Sequence, residues 1–113
     1  MRKCMDFAIA IRRIASEAHI ALVDYGNEIL SRRPFDWDGA SEEFKNATGG
    51  AYEVRTLISR DGVHPSNPRV HRNDFSEEAL ANNGYGLRNY LTMTAYGDLI
   101  REVLNSSTKP WSP

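Results

Sequence analysis

Cysteine is nearly absent from this sequence. Among the 113 residues, Cys4 is the one cysteine. A single cysteine excludes an internal disulfide, and it also excludes a zinc site built from several thiolates. We therefore expect no metal and no disulfide framework, and stability has to come from an ordinary hydrophobic core.

Long apolar runs are also missing. No stretch approaches the roughly 20 apolar residues of a membrane-spanning helix. The apolar residues near the start are interrupted by Asp6, Arg12 and Arg13, whereas a signal peptide needs an unbroken apolar segment. We predict no membrane span and no signal peptide in this chain, and its localisation stays open.

The sequence also lacks a surplus of basic residues. Lysine and arginine number 14 against 15 aspartate and glutamate, which leaves a formal net charge of -1. Binding to phosphate backbones needs a basic surplus or a basic face. The composition therefore predicts that nucleic acid is not a partner.

The first part of the chain has the pattern of an α/β fold. Apolar residues at helical spacing predict an amphipathic helix over residues 2–18. The run HIALVDY (19–25) is nearly continuous in apolar residues, which favours a buried parallel strand. A short helix over YGNEILSRR (25–33) would follow, and helix next to buried strand is typical of α/β proteins.

The rest of the chain predicts one more strand and several helices. Residues 33–50 are expected to form a loop with one helical turn near residues 41–45, capped by Ser41. YEVRTLI (52–58) is the second predicted strand. Ser76 is expected to cap a short helix, residues 92–104 a closing helix, and residues 106–113 a frayed tail. Two strands make a poor sheet, so the chain is predicted to be part of a larger fold.

The segment DGVHPSNP (61–68) contains the candidate catalytic residues. A histidine can take a proton from a nucleophile and return it to a leaving group, and an aspartate on its other ring nitrogen fixes the tautomer. Asp61 and His64 are spaced so that a tight turn brings both side chains to one side. Gly62 permits an unusual backbone angle, and Pro65 restricts His64 to extended angles. The alternative is a plain turn in which Asp61 accepts backbone hydrogen bonds.

Other residues near the motif leave alternatives open. A metal site of His64, His71 and Asp74 matches no standard ligand spacing. The aromatic residues that follow the histidine could wall a substrate cleft or simply pack a loop: Phe75, Tyr85 and Tyr90. The serines beside the motif, Ser59 and Ser66, are interpreted as turn residues.

The motif and its surroundings resemble a known family. SRDGVHPSNP, with IASEAHIALVDYGNEIL before it and DFSEEALANNGYGLRNYLTMTAYGDLIREVL after it, is similar to the C-terminal part of SGNH hydrolases, also called GDSL-type esterases and lipases. The resemblance covers residues 7–104. It implies that His64 is the general base for a serine nucleophile and that Asp61 orients it. It also implies a flavodoxin-like three-layer α/β/α fold, with ester hydrolysis through an acyl-enzyme and no cofactor. Substrates would be lipid, acyl or acetylated carbohydrate esters, and family members are often exported.

The nucleophile motif of that family is missing. There is no Gly-Asp-Ser element, and Gly97-Asp98 is followed by Leu99. There is no Gly-x-Asn-Asp element for an oxyanion hole. We therefore expect residues 1–113 to be one partial domain, the C-terminal fragment of a serine ester hydrolase, inactive alone and able to associate through an exposed sheet edge. The alternatives are a noncatalytic or partner-binding remnant, and a half-enzyme completed by a separate chain.

Overall fold

The described part of the chain is helical. The computed structural model describes residues 3–19, 21–46 and 49–108. Within these ranges it contains four α-helices, which are α1 (Lys3–Ala18), α2 (Tyr25–Arg32), α3 (Glu77–Asn82) and α4 (Gly84–Thr108). Two 3₁₀ turns lie between α2 and α3, at Glu42–Phe44 and Arg69–His71.

The predicted α/β fold is wrong. Across the described ranges the chain forms no strand, and extended pairing is limited to two single-residue bridges at Ile58, parallel with Asp38 and antiparallel with Pro65. Residues 21–24 are irregular, and residues 52–57 form turns and bends. The flavodoxin-like three-layer α/β/α architecture is therefore overturned, and so is association through a sheet edge.

Both strand predictions failed because an extended segment needs neighbours to bond its N–H and C=O groups. The run at 19–25 ends by starting a helix instead, since the carboxylate of Asp24 accepts a hydrogen bond of 3.0 Å from the backbone N–H of Asn27. Leu22 and Val23 are 39% and 38% exposed, so this run is not buried. Ile20 lies outside the described residues.

The helix predictions are confirmed except for the cap at Ser41. The turn predicted near residues 41–45 is the 3₁₀ turn Glu42–Phe44, but the hydroxyl of Ser41 forms no capping hydrogen bond. The helices predicted over 2–18 and 25–33 match α1 and α2 closely. The hydroxyl of Ser76 accepts a hydrogen bond of 3.2 Å from the N–H of Ala79 and caps α3. The closing helix exists but is longer than predicted, because α4 begins at Gly84 and continues to Thr108. Of the predicted tail, residues 106–108 are helical and 109–113 lie outside the described residues.

The core lies where the N-terminal part of α1, α2, α3 and the start of α4 meet the segment around Leu57. The buried apolar side chains that form it are Met5, Ile29, Leu57, Ile58, Leu80 and Leu87. The hydroxyl of Tyr25 lies 3.1 Å from the carbonyl oxygen of Leu57 and 3.0 Å from that of Gly84, and donates to them. Burial raises the pKa of this hydroxyl, although the charge of Arg88 opposes the shift. These contacts hold the segment that leads into the Asp-x-x-His motif against the start of α4.

The molecule is elongated, and two helices leave apolar side chains exposed. The Cα radius of gyration is 17.1 Å, against about 13 Å for a compact domain of this length. Phe7 and Ile14 on α1, and Tyr96 and Val103 on α4, are each more than half exposed. Among the described helices none is long and apolar enough to cross a membrane.

Candidate active site

A closed loop over residues 59–64 carries the Asp-x-x-His motif. The backbone N–H of Ser59 donates to the carbonyl oxygen of His64 over 2.8 Å, and that of Gly62 donates to the carbonyl oxygen of Ser59 over 3.0 Å. Gly62 has a φ of +76°, the left-handed conformation that its lack of a side chain permits. The flanking residues Ile58 and Pro65 bridge each other, so both ends of the loop are pinned.

The two predicted site residues meet in this loop. Nδ1 of His64 lies 2.6 Å from Oδ2 of Asp61. The other carboxylate oxygen, Oδ1, accepts from the hydroxyl of Ser59 at 2.6 Å and from the N–H groups of Val63 and His64 at 2.9 Å each. The turn role and the imidazole-orienting role of Asp61 are thus divided between its two oxygens.

These contacts keep Asp61 ionised. Partial burial pushes its pKa up, but the hydrogen bonds from Ser59, from the backbone N–H groups of Val63 and His64 and from the imidazole outweigh it and hold the pKa below its ordinary value. An ionised carboxylate only accepts hydrogen bonds, so Nδ1 must be the donor. In the neutral imidazole, Nε2 then carries the lone pair, which is the tautomer that a general base needs.

The imidazole is accessible to a reactant. The side chain of His64 is 63% exposed, whereas that of Asp61 is 35% exposed. His64 lines a groove of about 280 Å³, which we call the His64 groove, together with Tyr52, Pro65, Asn67, Tyr85 and Arg88. The ring of Tyr52 stands edge-on to the imidazole, with centroids 5.9 Å apart and an angle of 87° between the planes. A polar ligand in this groove can therefore reach the base.

The neighbouring serines are structural. Ser59 and Ser66 are both fully buried. The Ser59 hydroxyl is bound to Asp61. That of Ser66 donates to the carbonyl oxygen of Thr56 and accepts from the N–H of Gly84. Neither hydroxyl is free to attack a substrate, so neither serves as the nucleophile for His64.

Of the other candidate residues, only Tyr85 lies beside the Asp–His pair. Of the three aromatic residues that could wall a cleft, Tyr85 lines the His64 groove, while Phe75 and Tyr90 pair with each other at a centroid distance of 6.2 Å. His71 is buried, and its carbonyl oxygen accepts from the side-chain amide of Asn83. Over the described ranges, no group of three or more His, Cys, Asp or Glu side chains is arranged to hold a metal ion.

Sequence reasoning missed three residues around the base. Ser59 was interpreted as a turn residue, but its hydroxyl positions Asp61. The spacing of two residues between Ser59 and Asp61 was the available signal. Tyr52 and Arg88 reach the His64 groove from distant parts of the chain, and no local pattern marks them.

Comparison of this chain with known protein families, with curated proteins and with solved structures finds no match. The described chain is a helical protein that presents an ionised Asp61 bonded to the imidazole of His64 on a tight loop, beside an open groove.

Proposed function

We propose that this chain supplies the Asp–His pair of a serine ester hydrolase, and that the serine comes from outside its described residues. The observation that carries the proposal is the 2.6 Å contact between Nδ1 of His64 and Oδ2 of Asp61, in a loop that leaves the imidazole open to the groove. The similarity of Asp61 to Pro65 to the triad element of SGNH hydrolases adds support. Acyl or acetylated carbohydrate esters are the proposed substrates.

The residues would act in two half-reactions. Nε2 of His64 takes the proton of a serine hydroxyl while the serine oxygen attacks the ester carbonyl carbon, and Asp61 stabilises the resulting imidazolium. The imidazolium then gives that proton to the departing alcohol oxygen, which leaves an acyl-enzyme. The same imidazole then takes a proton from water as the water oxygen attacks the acyl carbon, and the imidazolium returns that proton to the serine oxygen as the carboxylic acid leaves.

The serine and the oxyanion donors must be added to this pair. Ser59 and Ser66 are buried and hydrogen-bonded, so the chain alone should not hydrolyse esters faster than its His64→Ala variant. A preceding segment of a longer polypeptide or a separate chain would bring the serine to the His64 groove. Hydrolysis by the chain alone that disappears with His64→Ala would show instead that one of its own serines is the nucleophile.

The first experiment tests the base. Carbethoxylation with diethylpyrocarbonate, followed by mass spectrometry, measures how readily each imidazole reacts through an unprotonated ring nitrogen. We expect His64 to react faster than the buried His71, and Asp61→Asn to slow His64 specifically because the tautomer is no longer fixed. Equal reactivity of His64 in the parent chain and in Asp61→Asn would contradict the proposed role of Asp61.

The second experiment tests the activity. The chain is co-expressed with the polypeptide encoded directly upstream, and the purified product is assayed on a short-chain nitrophenyl ester. We expect hydrolysis that His64→Ala abolishes and that Asp61→Asn lowers by about 10⁴-fold. Asp36→Asn is the matched control, because Asp36 pairs with Arg33 outside the loop. Absence of hydrolysis in the co-expressed product would overturn the proposal in favour of a noncatalytic role.

A further inference from the structure

One arginine, Arg88, lines the His64 groove. Arg88 lies near the start of α4 and is exposed, and its guanidinium forms no ion pair or hydrogen bond with any described residue. Several other arginines are paired with carboxylates, including Arg12 with Asp24 and Arg33 with Asp36. The groove therefore carries an uncompensated positive charge.

In the part of the chain that the structure describes, no carboxylate lines the groove to neutralise that charge. Its lining consists of two tyrosines, a proline, an asparagine, Arg88 and His64. Asp61 does not line it, and its carboxylate is already bound to the imidazole, to Ser59 and to backbone N–H groups. An anion that enters the groove would therefore meet attraction from Arg88 without a facing acidic side chain.

Backbone hydrogen bonds hold the start of α4, the helix that carries Arg88, next to the loop of the base. The N–H of Tyr85 donates to the carbonyl oxygen of Ser66, and that of Gly84 to the hydroxyl of Ser66, at 2.9 Å each. These bonds tie the start of α4 to the segment that directly follows His64 and Pro65. Tyr85 and Arg88 are three residues apart on the helix and share a face.

The tyrosines supply the rest of a binding site. Tyr52 and Tyr85 are 45% and 49% exposed, so each presents part of its ring to the groove. An aromatic ring covers apolar or flat parts of a ligand, while a guanidinium binds a carboxylate or phosphate through two parallel hydrogen bonds. The groove thus combines a charged end, apolar walls and a base.

We propose that the His64 groove binds an ester that carries a carboxylate or a phosphate. The anionic group binds Arg88, the body of the ligand lies against Tyr52 and Tyr85, and the ester carbonyl faces the side of His64 where the serine would attack. The ester part of this inference rests on the proposed function, whereas the anion preference rests on Arg88 and can be measured without any hydrolysis.

The test is an NMR titration of the intact chain that follows the ring signals of His64 and Tyr85. Monomethyl succinate is the anionic probe and dimethyl succinate is the neutral match, with methyl phosphate as a separate arm to distinguish phosphate from carboxylate. We expect the preferred anion to bind at least about tenfold more tightly than dimethyl succinate, the effect of one charged hydrogen-bonded pair. Added salt should reduce the difference.

Substitutions test whether Arg88 is the source of the anion preference. Arg88→Gln should bring the anionic probe to the affinity of dimethyl succinate, and Arg88→Lys should keep part of the preference because it keeps the charge. Arg13→Gln, which removes an exposed arginine of α1, is the matched control and should change nothing. Asp61→Asn should retain the preference, so failure of the base and failure of the anion site are read separately. Equal affinity for all three probes, or a preference that survives Arg88→Gln, would overturn the proposal.

Discussion

The fully buried hydroxyl of Ser59 donates a hydrogen bond of 2.6 Å to Oδ1 of Asp61. Oδ2 of the same carboxylate is left to face Nδ1 of His64. Ser59 therefore acts on the imidazole indirectly, by fixing which carboxylate oxygen is turned toward it.

Ser59→Ala should raise the pKa of Asp61 toward its ordinary value of about 3.9, because the ionised carboxylate loses its side-chain donor. Ser59→Thr keeps a hydroxyl and should keep the lowered pKa. The pKa is measured by following the Asp61 carboxyl carbon by NMR through an acid titration. An unchanged titration in Ser59→Ala would assign the lowered pKa to the remaining donors, which are the backbone N–H groups of Val63 and His64 and the imidazole.

The stability of the fold should depend on pH through Asp61. Its pKa is lower in the folded chain than in the unfolded chain, so its ionised form stabilises the fold above about pH 4. That contribution is lost as the pH falls toward the lowered folded pKa. The difference in the free energy of unfolding between the parent chain and Asp61→Asn should thus be widest near neutral pH and shrink in acid. Urea unfolding at several pH values measures it, and a difference that does not change with pH would contradict the assignment.

Gly84 should tolerate no side chain. A Cβ there would lie 1.9 Å from the carbonyl oxygen of Leu57 and 2.6 Å from the Tyr25 hydroxyl. Gly84→Ala should lower the free energy of unfolding by about 3 kcal/mol or more, because backbone blocks the added methyl group. Gly86→Ala is the control in the same helix, since its nearest contact would be an ordinary 3.6 Å. It should be neutral or stabilising by up to about 1 kcal/mol, and thermal melts of the two variants should therefore move apart.

The buried side chain of Asn83 should stabilise the contact between Asn67 and the start of α4. Its amide donates to Oδ1 of Asn67 and to the carbonyl oxygen of His71, and its own Oδ1 accepts from the N–H of Gly86. Asn83→Ala leaves these partners without a bond in a buried place and should cost about 2–3 kcal/mol in urea unfolding.

Asn89→Ala is the control for that variant. Asn89 is exposed on α4, and its replacement should stay within about 0.5 kcal/mol of the parent chain. Similar losses in both variants would show that the buried hydrogen bonds of Asn83 add nothing to stability.

Helices were predictable from this sequence because their signals are local. The cap at Ser76 and the amphipathic pattern of α1 both lie within the element that they predict. Strands were not predictable in the same way, since pairing depends on which segments meet in space. YEVRTLI (52–58) has the composition of a strand, yet it pairs at Ile58 alone.

The same difference between local and long-range contacts explains which site residues could be predicted. The contact between Asp61 and His64 spans three residues, so their types and spacing were enough to predict it. Tyr52 and Arg88 come to the imidazole through packing around the core, which no pattern near the motif reveals. The buried hydroxyl of Ser59 was adjacent to the motif, but burial is a property of the folded chain.

The hydrogen bonds of the Asp61 carboxylate, including the one that orients the imidazole, are all internal to the loop over residues 59–64. Contacts this close in sequence need little closure entropy, so they can form early and persist while the surroundings change. The six residues could therefore be grafted into another protein between two anchored backbone ends, and the imidazole would keep its orientation.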